Sequence, residues 1–196
     1  MKNRLFALIL FLVAPFAVAQ SYTTLKTPQP TDNPQKIEVI EFFSLGCPHC
    51  AEFSGSLAKW EKTLKDDVVL RRIPVSFGRA AWGNVAKLFY TLEIMGEWQR
   101  LEAKLFAAIH VERVNIFTPN TMRDWLGKQG VDLEKFDATF KSFGVQNAVK
   151  RGDKIAGDYA VNGVPAIVVN GKYFFDGAGA DSLKEMDALI EKERKK

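Results

Sequence analysis

The chain has 196 residues, 47% of them hydrophobic, a formal charge of +4 and only two cysteines. That apolar content can build an ordinary core, so the pattern excludes a disordered chain and a disulfide-stapled mini-protein, and the length suits one domain, with or without an insertion. The 27 basic residues, less Lys2 and Arg4 at the N-terminus, leave 25 against 23 acidic ones, a near balance that offers no electrostatic footprint for nucleic acid.

Met1-Lys2-Asn3-Arg4 gives a basic start, an apolar run follows over residues 5–18, and Ala17-Val18-Ala19 supplies an A-x-A site. This is the pattern of a secretory signal peptide, residues 1–19, cleaved after Ala19. The apolar run is interrupted by Pro15 and falls short of the roughly 20 residues of a spanning helix, so an uncleaved anchor is the lesser alternative. Export would carry the chain into a compartment where disulfides persist. Residues 20–36 are polar and hold Pro28, Pro30 and Pro34, an extended lead-in.

Residues 37–43 are nearly apolar and read as a central strand. Glu41 is a carboxylate within it, on the same face as Val39 and Phe43, and a buried carboxylate needs a partner. Arg72, within a second strand-like run at 68–75, is the candidate. The alternative is that Arg71 and Arg72 straddle a strand edge.

Cys47-Pro48-His49-Cys50 follows the first strand and opens a segment in which Phe53, Leu57, Trp60 and Leu64 recur at helical spacing. The two-residue gap lets both thiols share the first turn of a helix running from Pro48 to about Lys65. Unpaired backbone N–H groups and the positive dipole end at that turn stabilise an anion, here a Cys47 thiolate. Pro48 suits a position whose N–H would have no partner. His49, when protonated, adds positive charge, and it is the residue expected to contribute most to the thiolate. One C-x-x-C supplies two metal ligands where a structural zinc site takes four, and a ring this small stabilises a fold least, so redox chemistry is the reading kept over a metal site or a structural staple.

From 78 to 144 apolar residues fall at helical spacing, with breaks at Asn115, Pro119, Gly130 and Gly144, which predicts three or four inserted helices. Thr118-Pro119 marks one helix start and residues 133–136 another. His110 is read as a polar residue late in a helix, without chemistry. A further helix is expected at 148–159. Asn170-Gly171 between two strand-like runs then signals a two-residue hairpin, with Pro165 at the start of its first strand. Residues 181–196 close the chain as an amphipathic helix.

Glu41-Phe42-Phe43-Ser44, Cys47-Pro48-His49-Cys50, Gly163-Val164-Pro165-Ala166 and Val169-Asn170-Gly171-Lys172-Tyr173, in this order of elements, resemble the DsbA family of periplasmic thiol:disulfide oxidoreductases of Gram-negative bacteria. Tyr22-Thr23-Thr24-Leu25 is similar to that family's N-terminus. The resemblance implies an α/β protein, a thioredoxin fold with an inserted helical domain: residues 20–77 and 146–196 as the two thioredoxin-like parts and 78–145 as the insertion. It also implies an exposed nucleophile at Cys47, a buried resolving thiol at Cys50, and a cis Val164–Pro165 bond that faces them and leaves Val164 backbone groups free for an extended substrate. Glu41 would move a proton to or from Cys50. Pro74, inside the second strand, departs from the family pattern.

The implied activity is donation of a Cys47–Cys50 disulfide to reduced, newly exported proteins, with no cofactor besides that pair and no metal. The implied partners are unfolded secreted proteins and a DsbB-type, quinone-linked membrane oxidase, and the implied state is a monomer in the periplasm. A reductase or isomerase on the same scaffold, and a non-catalytic binding module using an apolar groove near Pro165, are the rival readings. A Cys47 pKa below about 5 would mark an oxidase, and a value near 7 or above a reductase or isomerase.

Overall fold

The computed structural model describes residues 21–195, so the signal-peptide reading of 1–19 lies outside the described residues. No helix among the described residues is long and apolar enough to cross a membrane. A five-stranded sheet is built from β1 (Thr23–Thr24), β2 (Ile37–Phe43), β3 (Val68–Pro74), β4 (Ala166–Val169) and β5 (Tyr173–Asp176), in the spatial order β1-β5-β4-β2-β3. β2 runs parallel to β3 and antiparallel to β4. All seven residues of β2 are buried, as its apolar sequence requires of a strand covered on both faces. Ile37 and Val39 pack with Ile167 and Val169, while Ile40 and Phe42 pack with Ile73, Ala166 and Val168. Period-two alternation thus sends Ile37 and Val39 to one side of the sheet and Ile40 and Phe42 to the other, while Phe43 at the strand's end joins a further cluster.

The C-x-x-C helix α1 covers Pro48–Glu61 and buries Cys50, Phe53, Leu57 and Trp60. It stops short of Lys65 because Thr63 closes its end: both the backbone N–H and the hydroxyl of Thr63 donate to Trp60 O, at 2.8 and 2.7 Å. Four helices follow, α2 (Ala80–Met95), α3 (Trp98–His110), α4 (Pro119–Lys128) and α5 (Leu133–Phe140). Thr118 caps α4, its hydroxyl accepting from Thr121 N, and Asp132 caps α5 through Glu134 N and Lys135 N. α6 (Phe143–Asp158) then runs unbroken back onto the sheet, starting earlier than residue 148 because Ser142 supplies its cap. α7 (Leu183–Arg194) follows a short 3-10 turn at 180–182 and packs Met186, Leu189 and Ile190 into the core behind β2 and β4.

Two details of the edges differ from the reading of the sequence. The proline-rich lead-in contributes the short edge strand β1, paired with β5 through Thr23–Phe174 and Thr24–Tyr173. Pro74 is tolerated because β3 is the opposite edge strand, where one side of the backbone has no ladder to complete.

Candidate active site

Cys47 is the N-cap of α1, with φ −96° and ψ 122°, and Pro48 begins the helix. Cys47 N donates to Ser44 O at 3.0 Å and Gly46 N to Ser44 Oγ at 3.2 Å, closing a tight turn between β2 and α1. That turn delivers the Cys47 side chain to the exposed N–H groups of the helix's first turn. Both cysteines are thiols. Cys50, one turn in, faces the core and has 0% of its surface exposed.

The two thiols are driven apart. Cys47 is brought down from 9.0 to about 6, chiefly by a hydrogen bond from the Cys50 thiol. Burial opposes that fall, while the backbone N–H groups of Cys50 and His49 and the charge of His49 add to it. Burial pushes Cys50 far above the ordinary thiol range, and the neighbouring Cys47 and Glu41 charges push the same way. His49 is therefore one contributor among several rather than the leading one. Its side chain is 75% exposed and its Nδ1 lies 3.2 Å from Glu52 Oε2.

Val164–Pro165 is a cis peptide bond placed against the pair. The Cys47 thiol donates to Val164 O at 3.2 Å. This corrects two expectations. Cys47 is only 6% exposed rather than open, because the 164–165 loop folds over it, and the Val164 carbonyl is already occupied in the dithiol form. A cleft of about 480 Å³ begins beside this point, lined by His49, Phe53, Val164, Pro165 and Ala178.

Glu41 sits in β2 directly opposite Arg72 of β3. Its Oε2 is 3.2 Å from Arg72 Nε, a charge contact in which the N–H is not aimed as a hydrogen bond. The pairing inferred from the sequence is present, but Arg72 is shared. Its two terminal nitrogens donate to Glu61, at 3.2 and 2.8 Å, and one lies 4.0 Å from Glu102 Oε1. Burial pushes Glu41 up to about 8, Arg72 pulls it back in part, and the charges of Glu102 and Glu61 raise it further. A larger cleft of about 550 Å³ opens on this side, reaching Glu61, Arg72 and Trp98 without touching the cysteines.

Sequence reasoning missed Glu61, Glu102 and His110. The first two come from the end of α1 and from α3, and no local pattern connects them with Arg72. His110 has a defined partner after all, since its Nε2 lies 2.8 Å from Leu45 O, two residues before Cys47. Among the described residues there is no group of three or more His, Cys, Asp or Glu side chains arranged to hold a metal.

Residues 38–191 match the family model described as a DSBA-like thioredoxin domain. The thiol:disulfide interchange protein DsbA of Pseudomonas aeruginosa is 39% identical across 99% of this chain and 98% of its own length. The protein of the same name from Bordetella parapertussis is 42% identical across 90% and 86%. Among solved structures, the crystal structure of Pseudomonas aeruginosa DsbA superposes with a TM-score of 0.84 at 43% identity, covering 89% of this chain and 92% of that one. The NmDsbA1 oxidoreductase of Neisseria meningitidis reaches a TM-score of 0.80 at 28% identity, covering 91% and 94%. An asymmetric thiol pair opening a helix, a cis-proline loop against it and full-length agreement with these proteins place the chain in the DSBA-like thioredoxin domain family.

Proposed function

We propose that this thiol:disulfide oxidoreductase works as a dithiol oxidase, passing a Cys47–Cys50 disulfide to reduced proteins exported into the periplasm. A substrate thiolate attacks Cys47 Sγ, forming a substrate–Cys47 disulfide and breaking the Cys47–Cys50 bond. Cys50 leaves as a thiolate and takes a proton that Glu41 can supply. A second substrate thiolate then attacks the substrate sulfur of the mixed disulfide and releases Cys47, also as a thiolate. Two electrons pass to the protein and the substrate gains one disulfide. Val164 and Pro165 flank the attack point, and once the Cys47 thiol is consumed in the disulfide the Val164 carbonyl is free to pair with an extended substrate. A DsbB-type, quinone-linked membrane oxidase is the proposed acceptor for the two electrons, and the chain needs no cofactor beyond its cysteines. A monomer satisfies this scheme.

The observation that carries this reading is the placement of Cys47 at the head of α1, its sulfur 3.2 Å from Val164 O with Cys50 buried behind it, and the divergence of the two thiols supports it. A thiol at about 6 is mostly thiolate at pH 7, while a buried partner far above the ordinary range stays protonated. Cys47 is thus the better leaving group in the last step. Its value lies between the ranges that mark a strong oxidase and a reductase. At pH 7 it favours the reduced form by roughly one factor of ten over an ordinary thiol, about 30 mV for a two-electron couple. Because the folded value is depressed, this advantage is present above the ordinary value of 9.0 and is lost as the pH falls through about 6.

The test is oxidation of a reduced, unfolded protein by one equivalent of the disulfide form. The expected result is loss of two substrate thiols per chain, abolished by Cys47→Ser. A Cys47→Ser protein that still protects the substrate from aggregation, together with a wild type that transfers no disulfide, would instead support a binding module. An equilibrium with glutathione that leaves the protein oxidised at thioredoxin-like poise would make it a reductase.

A further inference from the structure

The turn that presents Cys47 is held from outside by the inserted helices. Its internal bonds use Ser44 O and Ser44 Oγ, while the Leu45 carbonyl turns away and receives His110 Nε2–H at 2.8 Å. A carbonyl only accepts, so Nε2 carries the hydrogen whichever charge the ring bears. His110 is the last residue of α3, and its ring stacks on Phe106 one turn earlier, with centroids 6.2 Å apart and planes at 29°. The next residue is gripped as well. A Cβ on Gly46 would lie 2.9 Å from the Trp82 indole nitrogen and 3.1 Å from the Phe117 ring. Phe117 is tied to α2 in turn by Asn84 Nδ2, which donates to its carbonyl at 3.0 Å.

We infer that His110 is a positioning residue for the thiol chemistry: through Leu45 it fixes where the Cys47 sulfur sits against the Cys50 thiol and the first-turn N–H groups of α1. Leu45 has 1% of its surface exposed, so removing its partner would leave a buried carbonyl unsatisfied. The turn would shift to recover a donor and take Cys47 with it. Hydrogen bonds to the sulfur weaken steeply with angle and distance, so a small displacement of this turn is felt at the thiolate. The inserted helices thereby act on the reacting atom through the backbone of this turn.

The inference rests on Cys47 being the attacking thiol, and its test does not depend on which way disulfides flow. The full chain in the reduced state is titrated by its ultraviolet thiolate absorbance, and Cys47 alkylation by iodoacetamide is timed at pH 6, for wild type, His110→Ala, His110→Gln and Gly46→Ala. His110→Ala is expected to lower the thiolate-to-thiol ratio and the alkylation rate at pH 6 by roughly three- to tenfold. His110→Gln, whose amide can donate to the same carbonyl, is expected to recover at least half of that loss. Gly46→Ala, which pushes the turn off Trp82 and Phe117 while keeping His110, is expected to move the titration in the same direction; an unchanged Cys47 titration in it would show that displacing the turn is not felt at the sulfur and would overturn the inference even if His110→Ala does not fold. A lowered thermal midpoint with an unchanged Cys47 titration in the His110 variants would overturn the inference and leave His110 as a structural cap. A His110→Gln protein no better than His110→Ala would overturn it too, because the donor would then not be what matters.

Discussion

Glu41 stands under opposing demands. Buried in the central strand, it is pushed up to about 8 by desolvation, so it holds a proton near neutral pH that an exposed carboxyl would have lost at 4.5. Such a group can give a proton to a leaving Cys50 thiolate and take it back when Cys50 next attacks. The same shift has a stability consequence. Between 4.5 and about 8 the unfolded chain ionises Glu41 and the folded chain does not, so the contribution is fully present below 4.5 and is lost as the pH rises through about 8. Glu41→Gln removes this dependence. The thermal midpoint of the wild type relative to Glu41→Gln should therefore fall between pH 5 and 9, and a constant difference across that range would refute the assignment. The Gln variant should also slow the step at Cys50 by roughly 10- to 100-fold, read by stopped-flow mixing with a reduced peptide.

At the scale of single elements, the hairpin between β4 and β5 shows how one backbone conformation is enforced. Asn170 and Gly171 both take positive φ, 50° and 63°, as the two-residue turn requires. The lead-in crosses over this turn, with Gln29 N donating to Gly171 O at 2.9 Å, so a Cβ on Gly171 would overlap the Gln29 carbonyl. Gly171→Ala therefore meets both conformational strain and backbone overlap, and should cost about 2 kcal/mol or more in urea unfolding, with activity per folded molecule retained. A neutral result would mean that the lead-in is not packed there. Glu193 of α7 anchors the same hairpin, accepting from Asn170 Nδ2 at 2.8 Å and Tyr173 OH at 3.1 Å and pairing with Lys172.

Across the whole molecule, the inserted helices and the sheet share one interior. Phe43, Leu45, Cys47 and Cys50 belong to the same cluster as Leu88, Phe89, Trp98 and Leu101 of the insertion. The Phe43 ring packs edge-on to Phe89 at 5.2 Å and near Trp98 at 5.9 Å. Charge crosses the junction as well, since Arg72 of β3 lies near Glu102 of α3. An interface this apolar couples the two parts, so calorimetry should show one cooperative transition whose calorimetric and van't Hoff enthalpies agree. Two separated transitions would show that the insertion folds on its own and only rests on the active site.

The amino-acid sequence by itself determined the local grammar: an apolar run that must be a covered strand, a C-x-x-C opening a helix with Pro48 in its first turn, an Asn-Gly hairpin and a family of helices, two of them with their starts. Each follows from interactions over a few residues, where propensity, periodicity and backbone sterics act. It also pointed to Glu41 as a carboxylate needing a partner and to Arg72 as the candidate, because a charge in a strand meant to be buried must be met by another; the parallel register that sets the two opposite one another came from the structure. The tertiary structure alone decided the rest. That Arg72 divides itself among three carboxylates, that Cys47 is covered by the Val164–Pro165 loop, that His110 reaches Leu45 and that Trp82 and Phe117 close on Gly46 all depend on side chains far apart in the chain. Such contacts have no periodicity to betray them. They arise where separate elements converge, and it is there that an ordinary thiol becomes a reactive one.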